Sequence, residues 1–493
     1  MALSESNLLL AALAIATLPF AILIALRPKL LVIITVLLTL TELTLAQLTR
    51  SSSVFTYADD ALCLLAPIVC ALPRLRGDRP IRQLPGGRWF LLYFVLGLSS
   101  SIVQNVPLGL ALSGSLSFIK GPLLGFAIAQ VDWSARDVRR LKVGAIRLLV
   151  IILMFAGVNA LTPGSWARRF SPGFQSRGGS LPTLIGPFTI PGAFGTIMAL
   201  SASALVAGAG FREFSRRRSR QRERLLGALS VLGVILSFRR ISIIALIGAI
   251  TAARAKLRVR NRAPFFTGLV IVMGGTAALF HNFVTSAISS AYRDYVLNGK
   301  APRTLLYRGS ITVAHDYFPF GAGFARYGSY LSGVHYSPVY FRLGFENVYG
   351  LEPGIGGLYF TDTFWPAILG ESGLFGLVAF AGGLIAIWRL AKRWTVETNR
   401  ELQTMAYVLV AWSVEFAIES LVAPAYSSPP AFSLLFALTG LLVARADCLQ
   451  GNKGGTGERN EVLSTSGDRV AGRVKRPIPA ETPSGSYAPP DIR

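Results

Sequence analysis

Apolar blocks of 18–25 residues recur along this chain, and a Lys/Arg cluster follows every second one. A block of that length spans a bilayer core as helix, at ~1.5 Å of rise per residue. Counting such blocks gives about thirteen candidate helices, at roughly 8–26, 30–49, 54–72, 89–106, 108–130, 143–161, 183–209, 225–238, 240–253, 264–281, 364–388, 404–422 and 429–446. Only 15% of residues are charged and 52% are hydrophobic, whereas soluble domains carry about 25% charged residues. The pattern predicts an all-α polytopic membrane protein with its transmembrane domain over 1–446.

Basic residues cluster at 27–29, 74–88, 136–147, 212–224, 254–262, 389–400 and after 445, each separated from the next by two blocks. All these clusters then share one face, which the positive-inside rule makes cytoplasmic. The net charge of +24 is therefore a topology signal with some attraction to anionic lipid headgroups, not a nucleic-acid footprint. The N-terminus is expected outside and the C-terminus inside. The start MALSESNLLL lacks the basic segment that precedes the apolar run of a cleaved signal. Residues 447–493 are Gly/Ser/Pro-rich and polar, as a disordered cytoplasmic tail would be. Blocks 225–238 and 240–253 are short for a span and predict two helices meeting at Arg239-Arg240.

Two long segments fall on the opposite, outer face: about 162–182, and about 282–363, the latter large enough to form a partly helical site over the membrane. The outer face also holds exceptions to the charge rule: Arg168 and Arg169 in the first segment, Arg239 and Arg240 at the helix break, Arg303 and Arg308 in the large loop. Arginine suits phosphate because its planar fork binds oxyanions bidentately and stays charged when buried. Solvation, or pairing with Asp316, Glu346 or Glu352, is the alternative for the loop arginines. Lys120 lies inside the apolar block GLALSGSLSFIKGPLLGFAIAQ, either facing a polar interior or snorkelling to an interface. Glu415 and Glu419 are four apart on one helical face. His281, His315 and His335 lack metal-ligand spacing, as do the three cysteines, so no metal is expected. His315 lies near the candidate site. Aromatics crowd 327–349 and 359–365; rings stack on sugar faces and also populate the membrane–water belt.

Three motifs in the second half carry a resemblance. LSFRRISIIALIGAI has an arginine at a helix break, with Arg240 at the motif position and Arg239 where serine is usual. PRTLLYRGSITVAHDYFPFGAGFARYG carries Arg303 (or, with poorer spacing, Arg308), then Pro319, Gly321 and Gly323. DTFWPAILGESGLFG ends in Gly373 and Gly376, with nine residues between the Asp362-Thr363 pair and Gly373. Over about residues 225–385 the chain resembles the O-antigen ligase and Wzy-type polysaccharide polymerase superfamily of bacterial membrane glycosyltransferases.

The resemblance implies polymerisation of undecaprenyl-pyrophosphate-linked repeat units at the periplasmic face of the inner membrane, by inverting transfer that calls for no metal or nucleotide. It implies a chain-length regulator and a flippase as pathway partners. The position where related ligases carry histidine holds Asp362 here, and an acid there is similar to polymerases; a ligase moving polymer to lipid A–core is the alternative. A lipid-linked sugar flippase or exporter fits less well, since it would be built from repeated halves with short outer loops. By resemblance Asp362 is the general base, Arg240 and Arg303 stabilise the leaving pyrophosphate, and Arg239 and Arg308 contact substrate; Arg168, Arg169, Lys120 and His315 are expected to join them by their charge and position. Asp362 also suits a helix N-cap, with Pro366 in the first turn.

Overall fold

A computed structural model describes residues 27–49, 52–77, 79–171, 182–209, 217–256, 285, 301–354 and 359–467. The expected spans at 8–26 and 264–281 lie outside these residues. Among the described residues all regular elements are helical. Long helices are α1 (Pro28–Thr49), α2 (Ser52–Arg76), α3 (Gly87–Val103), α4 (Leu108–Gln130), α5 (Ala135–Leu161), α7 (Pro191–Ala209), α8 (Arg217–Leu236), α9 (Arg240–Lys256), α13 (Trp365–Trp394), α14 (Arg400–Glu419) and α15 (Phe432–Gly467); short α6 (Pro163–Phe170) follows α5. The large loop holds α10 (Pro302–Asp316), α11 (Tyr330–Val334) and α12 (Pro338–Arg342).

Six of these helices are long and apolar enough to cross a membrane: α1, α4, α5, α7, α13 and α15 as far as Gln450. The most apolar stretch of α5 is only 17% buried. A helix this apolar that leaves its surface uncovered matches a lipid-facing position. α15 runs to Gly467, and the rest of the segment expected as a tail, 468–493, lies outside the described residues. A helix already nucleated by the apolar run from Phe432 extends at the low cost of one hydrogen bond per residue fixed.

The bundle is a succession of neighbours: α1 packs on α2, α2 on α4, α4 on α3, α3 on α13, α13 on α14, and α14 on α7 and α9. Close approaches use small residues. Gly121 and Gly125 of α4 face Phe436, and Gly125 also faces Gly440 of α15, with no room for a Cβ. Contacts sort the helix ends onto two faces. At one, Arg74 binds the Gln130 carbonyl, Lys29 pairs with Asp137, and Arg445 pairs with Glu401. At the other, Ser101 holds Phe324 and Phe364 bonds Ser420. The N-termini of α1, α5 and α14, the C-termini of α2 and α4 and the Arg445 turn of α15 thus gather opposite the 301–364 loop.

That loop has its own core. Leu306, Val313, Tyr327, Tyr340, Phe345 and Phe360 are buried together. Tyr340 stacks on Phe360 at 4.3 Å and on Phe345 at 5.7 Å. Much of the aromatic run from 327 is therefore spent on packing instead of sugar stacking, because a segment this long needs apolar burial to hold a shape. Tyr330, Phe341 and Tyr349 remain exposed.

Candidate functional site

The second and third motifs interlock. Gly373 takes φ 67° and ψ −170° and breaks the helical path of α13, a conformation open mainly to glycine. The break frees the Gly370 and Glu371 carbonyls from their intrahelical partners. Ala322 N–H donates to Gly370 at 2.8 Å and Gly323 N–H to Glu371 at 2.9 Å. Gly321 (φ 82°) runs against Gly373 backbone to backbone, where no Cβ fits. The Ser100 hydroxyl at the end of α3 donates to the Gly321 carbonyl at 2.8 Å, completing the clamp. Within it, the Glu371 carboxylate is fully buried and accepts from the Ser329 hydroxyl at 2.6 Å and the Tyr327 N–H at 3.2 Å. Glu371 is thus the anchor of the 325–329 turn, a role that the sequence pattern alone did not reveal.

Helix α10 packs on α13, and the 359–364 segment leads into the start of α13. From them come Arg303 and Asp362, with Arg303 Nη2 donating to Asp362 Oδ2 at 2.9 Å. Each side chain is about one third exposed. One turn after Arg303, the Tyr307 hydroxyl donates to the Leu421 carbonyl at 2.9 Å. Burial pushes the Tyr307 phenol up, outweighing the opposite pull of Arg303, so it remains a donor. Asp362 is not an N-cap: α13 begins at Trp365 behind Phe364, and no side chain caps it.

A second ion pair lies beside the first. Glu419, at the end of α14, is 1% exposed, forms an ion pair with Arg239 at 3.0 Å and accepts from the Ser242 hydroxyl at 2.6 Å. The guanidinium of Arg239 rests over Gly192 and reaches Thr196 of α7. Ser420 ties the two pairs together. Its carbonyl takes the Phe364 N–H at 3.3 Å and its hydroxyl the Trp365 indole N–H at 3.0 Å. With Asp362 two residues before Phe364 and Glu419 one before Ser420, chain reach keeps the two carboxylate-bearing Cα atoms within roughly 20 Å.

The helix break expected at Arg239-Arg240 is present: α8 ends at Leu236, Phe238 takes φ 51°, and α9 starts at Arg240. The two arginines differ from expectation in rank. Arg239 is the one drawn inward, to Glu419, while the Arg240 side chain is exposed. A residue at the first position of a helix points along the helix surface, whereas the one before it turns with the loop.

Other expected substrate contacts lie elsewhere. Lys120 Nζ binds Asp59 at 2.7 Å and Asp60 at 3.4 Å, and sits 5.1 Å from the Phe432 ring. It neutralises an interior acidic pair on α2, as a charge at membrane depth must. His315 is 90% exposed and turned to Asp316, which also holds Arg342. Arg308 is exposed on the outer side of α10. Arg168 and Arg169 are exposed on α6, whose orientation is fixed by Trp166, bonded to the Gly186 carbonyl and stacked on Phe170. No described hydrogen bond or ion pair joins them to the Arg303–Asp362 pair. Among the described residues no group of three or more His, Cys, Asp or Glu is placed to hold a metal ion.

No family model matches this chain, and no curated protein matches it significantly.

Proposed function

We propose that this chain is a multi-pass glycosyltransferase of the bacterial inner membrane. Its substrates are undecaprenyl-pyrophosphate-linked oligosaccharide repeat units, and it joins them at the periplasmic face. The topology proposed is thirteen spans, with the N-terminus periplasmic, the C-terminus cytoplasmic and the 301–364 loop periplasmic. The single observation that carries the reading is the partly exposed Arg303–Asp362 pair, at the face opposite the basic clusters and beside the Arg239–Glu419 pair.

In this reading Asp362 accepts the proton of the acceptor sugar hydroxyl. The hydroxyl oxygen attacks the anomeric carbon of the donor, the bond from that carbon to the pyrophosphate oxygen breaks, and configuration inverts. Negative charge builds on the departing lipid pyrophosphate. Arg303, bonded to Asp362 through Nη2 and about one third exposed, brings its fixed positive charge to that leaving group. Arg303 therefore touches both partners of the transfer, orienting the base and stabilising the leaving group. Arg240, exposed at the start of α9, has the charge and reach to add to the same field. An acid in place of the histidine of related ligases favours the polymerase over the ligase.

The test is reconstitution of the purified chain in lipid vesicles with a lipid-pyrophosphate-linked repeat unit. Ladder-like polymer that disappears in Asp362→Asn while the protein stays folded supports the reading. Normal polymer from Asp362→Asn removes the base assignment, and transfer only of preformed polymer to a lipid A–core acceptor moves the chain to the ligase class.

A further inference from the structure

At the end of the bundle opposite the Arg303–Asp362 site lies a cavity of about 530 Å³. It is bounded by the first turn of α1, the last turns of α2 and the segment leaving α4. Its size falls in the range of ligand clefts, ~300–1,000 Å³. Among the described lining residues Arg27, Lys29, Arg74 and Arg79 are basic and Asp132 is acidic. We propose that this cavity binds the phosphate headgroup of an anionic phospholipid. The inference does not depend on the transferase reading.

Charge balance is the first argument. Asp132 is shared by three guanidiniums: Arg74 at 3.0 Å, Arg79 at 3.0 Å and Arg82 at 2.7 Å. Lys29 pairs with Asp137 at 2.7 Å, and that carboxylate also serves the capping box at the start of α5. Among the described residues at this end, these pairings leave an excess of positive charge. A concave cationic surface collects anions.

The second argument is that the site is built and rigid. The Arg74 side chain is only 7% exposed and is fixed by the carbonyls of Gln130 and Pro80 at 2.9 and 2.8 Å. Arg82 is 6% exposed and bonds the carbonyls of Ala129 and Val131. Side chains held this firmly form a fixed cationic wall that needs no rearrangement to meet an anion. Lys29 and Arg79 stay exposed at the mouth, where they can turn to an incoming phosphate.

Position selects the lipid over a soluble phosphate. α1 and α4 are two of the helices apolar enough to cross the membrane. The cavity floor includes Leu30 and Val131. Leu72 and Leu75, which flank the lining residues on α2, present exposed apolar side chains. A headgroup seated on the cations would thus have its acyl chains laid along the outer faces of α1 and α2. Basic pockets between membrane helices are a recurrent form of lipid headgroup site.

The experiment is native mass spectrometry of the full chain released from detergent with phosphatidylglycerol, with phosphatidylcholine, and with inorganic phosphate. Retained phosphatidylglycerol and unretained phosphatidylcholine are expected. The triple variant Arg27→Gln/Lys29→Gln/Arg79→Gln removes exposed cations only and should lower phosphatidylglycerol retention by on the order of 100-fold. A control, Arg139→Gln/Arg140→Gln, removes exposed charge from α5 outside the cavity lining and should leave retention intact. Equal retention of both lipids overturns the proposal, as does equal loss in the control, which would mean diffuse attraction. Displacement of the lipid by millimolar inorganic phosphate would reassign the cavity to a soluble anion and overturn it equally.

Discussion

Arg303 and Asp362 meet at 2.9 Å across 59 residues of chain, joining the first turn of α10 to the segment that enters α13. Both side chains are about one third exposed, so the pair is worth less than about 1 kcal/mol to folding. Substitution should therefore separate stability from activity. Asp362→Asn keeps the shape and hydrogen-bonding capacity but removes the base, and polymer formation should fall by roughly 10²–10⁴-fold, with unfolding temperature nearly unchanged. The reversed pair Arg303→Asp/Asp362→Arg should recover the fold and not the activity. A reversed pair that polymerises at the parent rate would reduce both residues to a structural tie.

Arg239 and Glu419 should behave oppositely. Glu419 is buried, pairs with Arg239, accepts from Ser242, and joins α9 to α14. Removing one member leaves a buried charge without compensation, at a cost of about 3–5 kcal/mol. Arg239→Ala and Glu419→Ala should each lower the unfolding temperature in detergent sharply. The double variant should lose less than the sum of the two, since it buries no lone charge. Strict additivity would argue against the direct pairing.

The apolar periodicity made much of the helix layout legible, because in a membrane a span must satisfy its own backbone and so its length is written locally. The block expected at 108–130 is α4, and that at 30–49 differs from α1 by two residues. The break at Arg239 and the Gly-x-Gly near Pro319 were also visible, since both are local backbone requirements. Partner choice was not. The carboxylates of Lys120 are 60 and 61 residues distant, and that of Arg239 is 180 residues away. A pattern of residue types cannot say which interior acid a cation will find. Glu419 was readable only as one of two acids on a helical face. The loop aromatics misled for a related reason: sugar platforms and small cores are built from the same rings, and only three-dimensional burial tells them apart.

Gly373 and Gly321 test the clamp between the second and third motifs. At Gly373 (φ 67°, ψ −170°) an added Cβ would run into the Pro319 carbonyl, and at Gly321 into the Gly370 carbonyl at 2.8 Å. Backbone cannot yield as a flexible side chain can, so Gly373→Ala and Gly321→Ala should both reduce folded protein severely. Gly344 is the internal control. It also has positive φ, 69°, but nothing lies within 4 Å of its Cβ position, and Gly344→Ala should cost only about 1–2 kcal/mol. The yield of monodisperse protein after size exclusion distinguishes them. Equal yields for all three would mean that the backbone contact between the motifs is not what holds the loop.

Asp132 gives the opposite end of the molecule a pH signature. Partial burial raises its carboxyl, but hydrogen bonds and charge from Arg82 and Arg74 outweigh that and hold it below the usual carboxylate range. A folded value below the unfolded one, ~3.9, means that the stabilisation is complete above the unfolded value. It is lost as pH falls through the depressed folded value. Protonation takes from Arg74 and Arg82, both nearly buried, the negative charge that Asp132 supplies. The unfolding temperature of the parent chain should therefore exceed that of Asp132→Asn at neutral pH, and the gap should narrow as pH is lowered from about 5 toward 2. Parallel curves over that window would show that Asp132 contributes through packing and not through its charge.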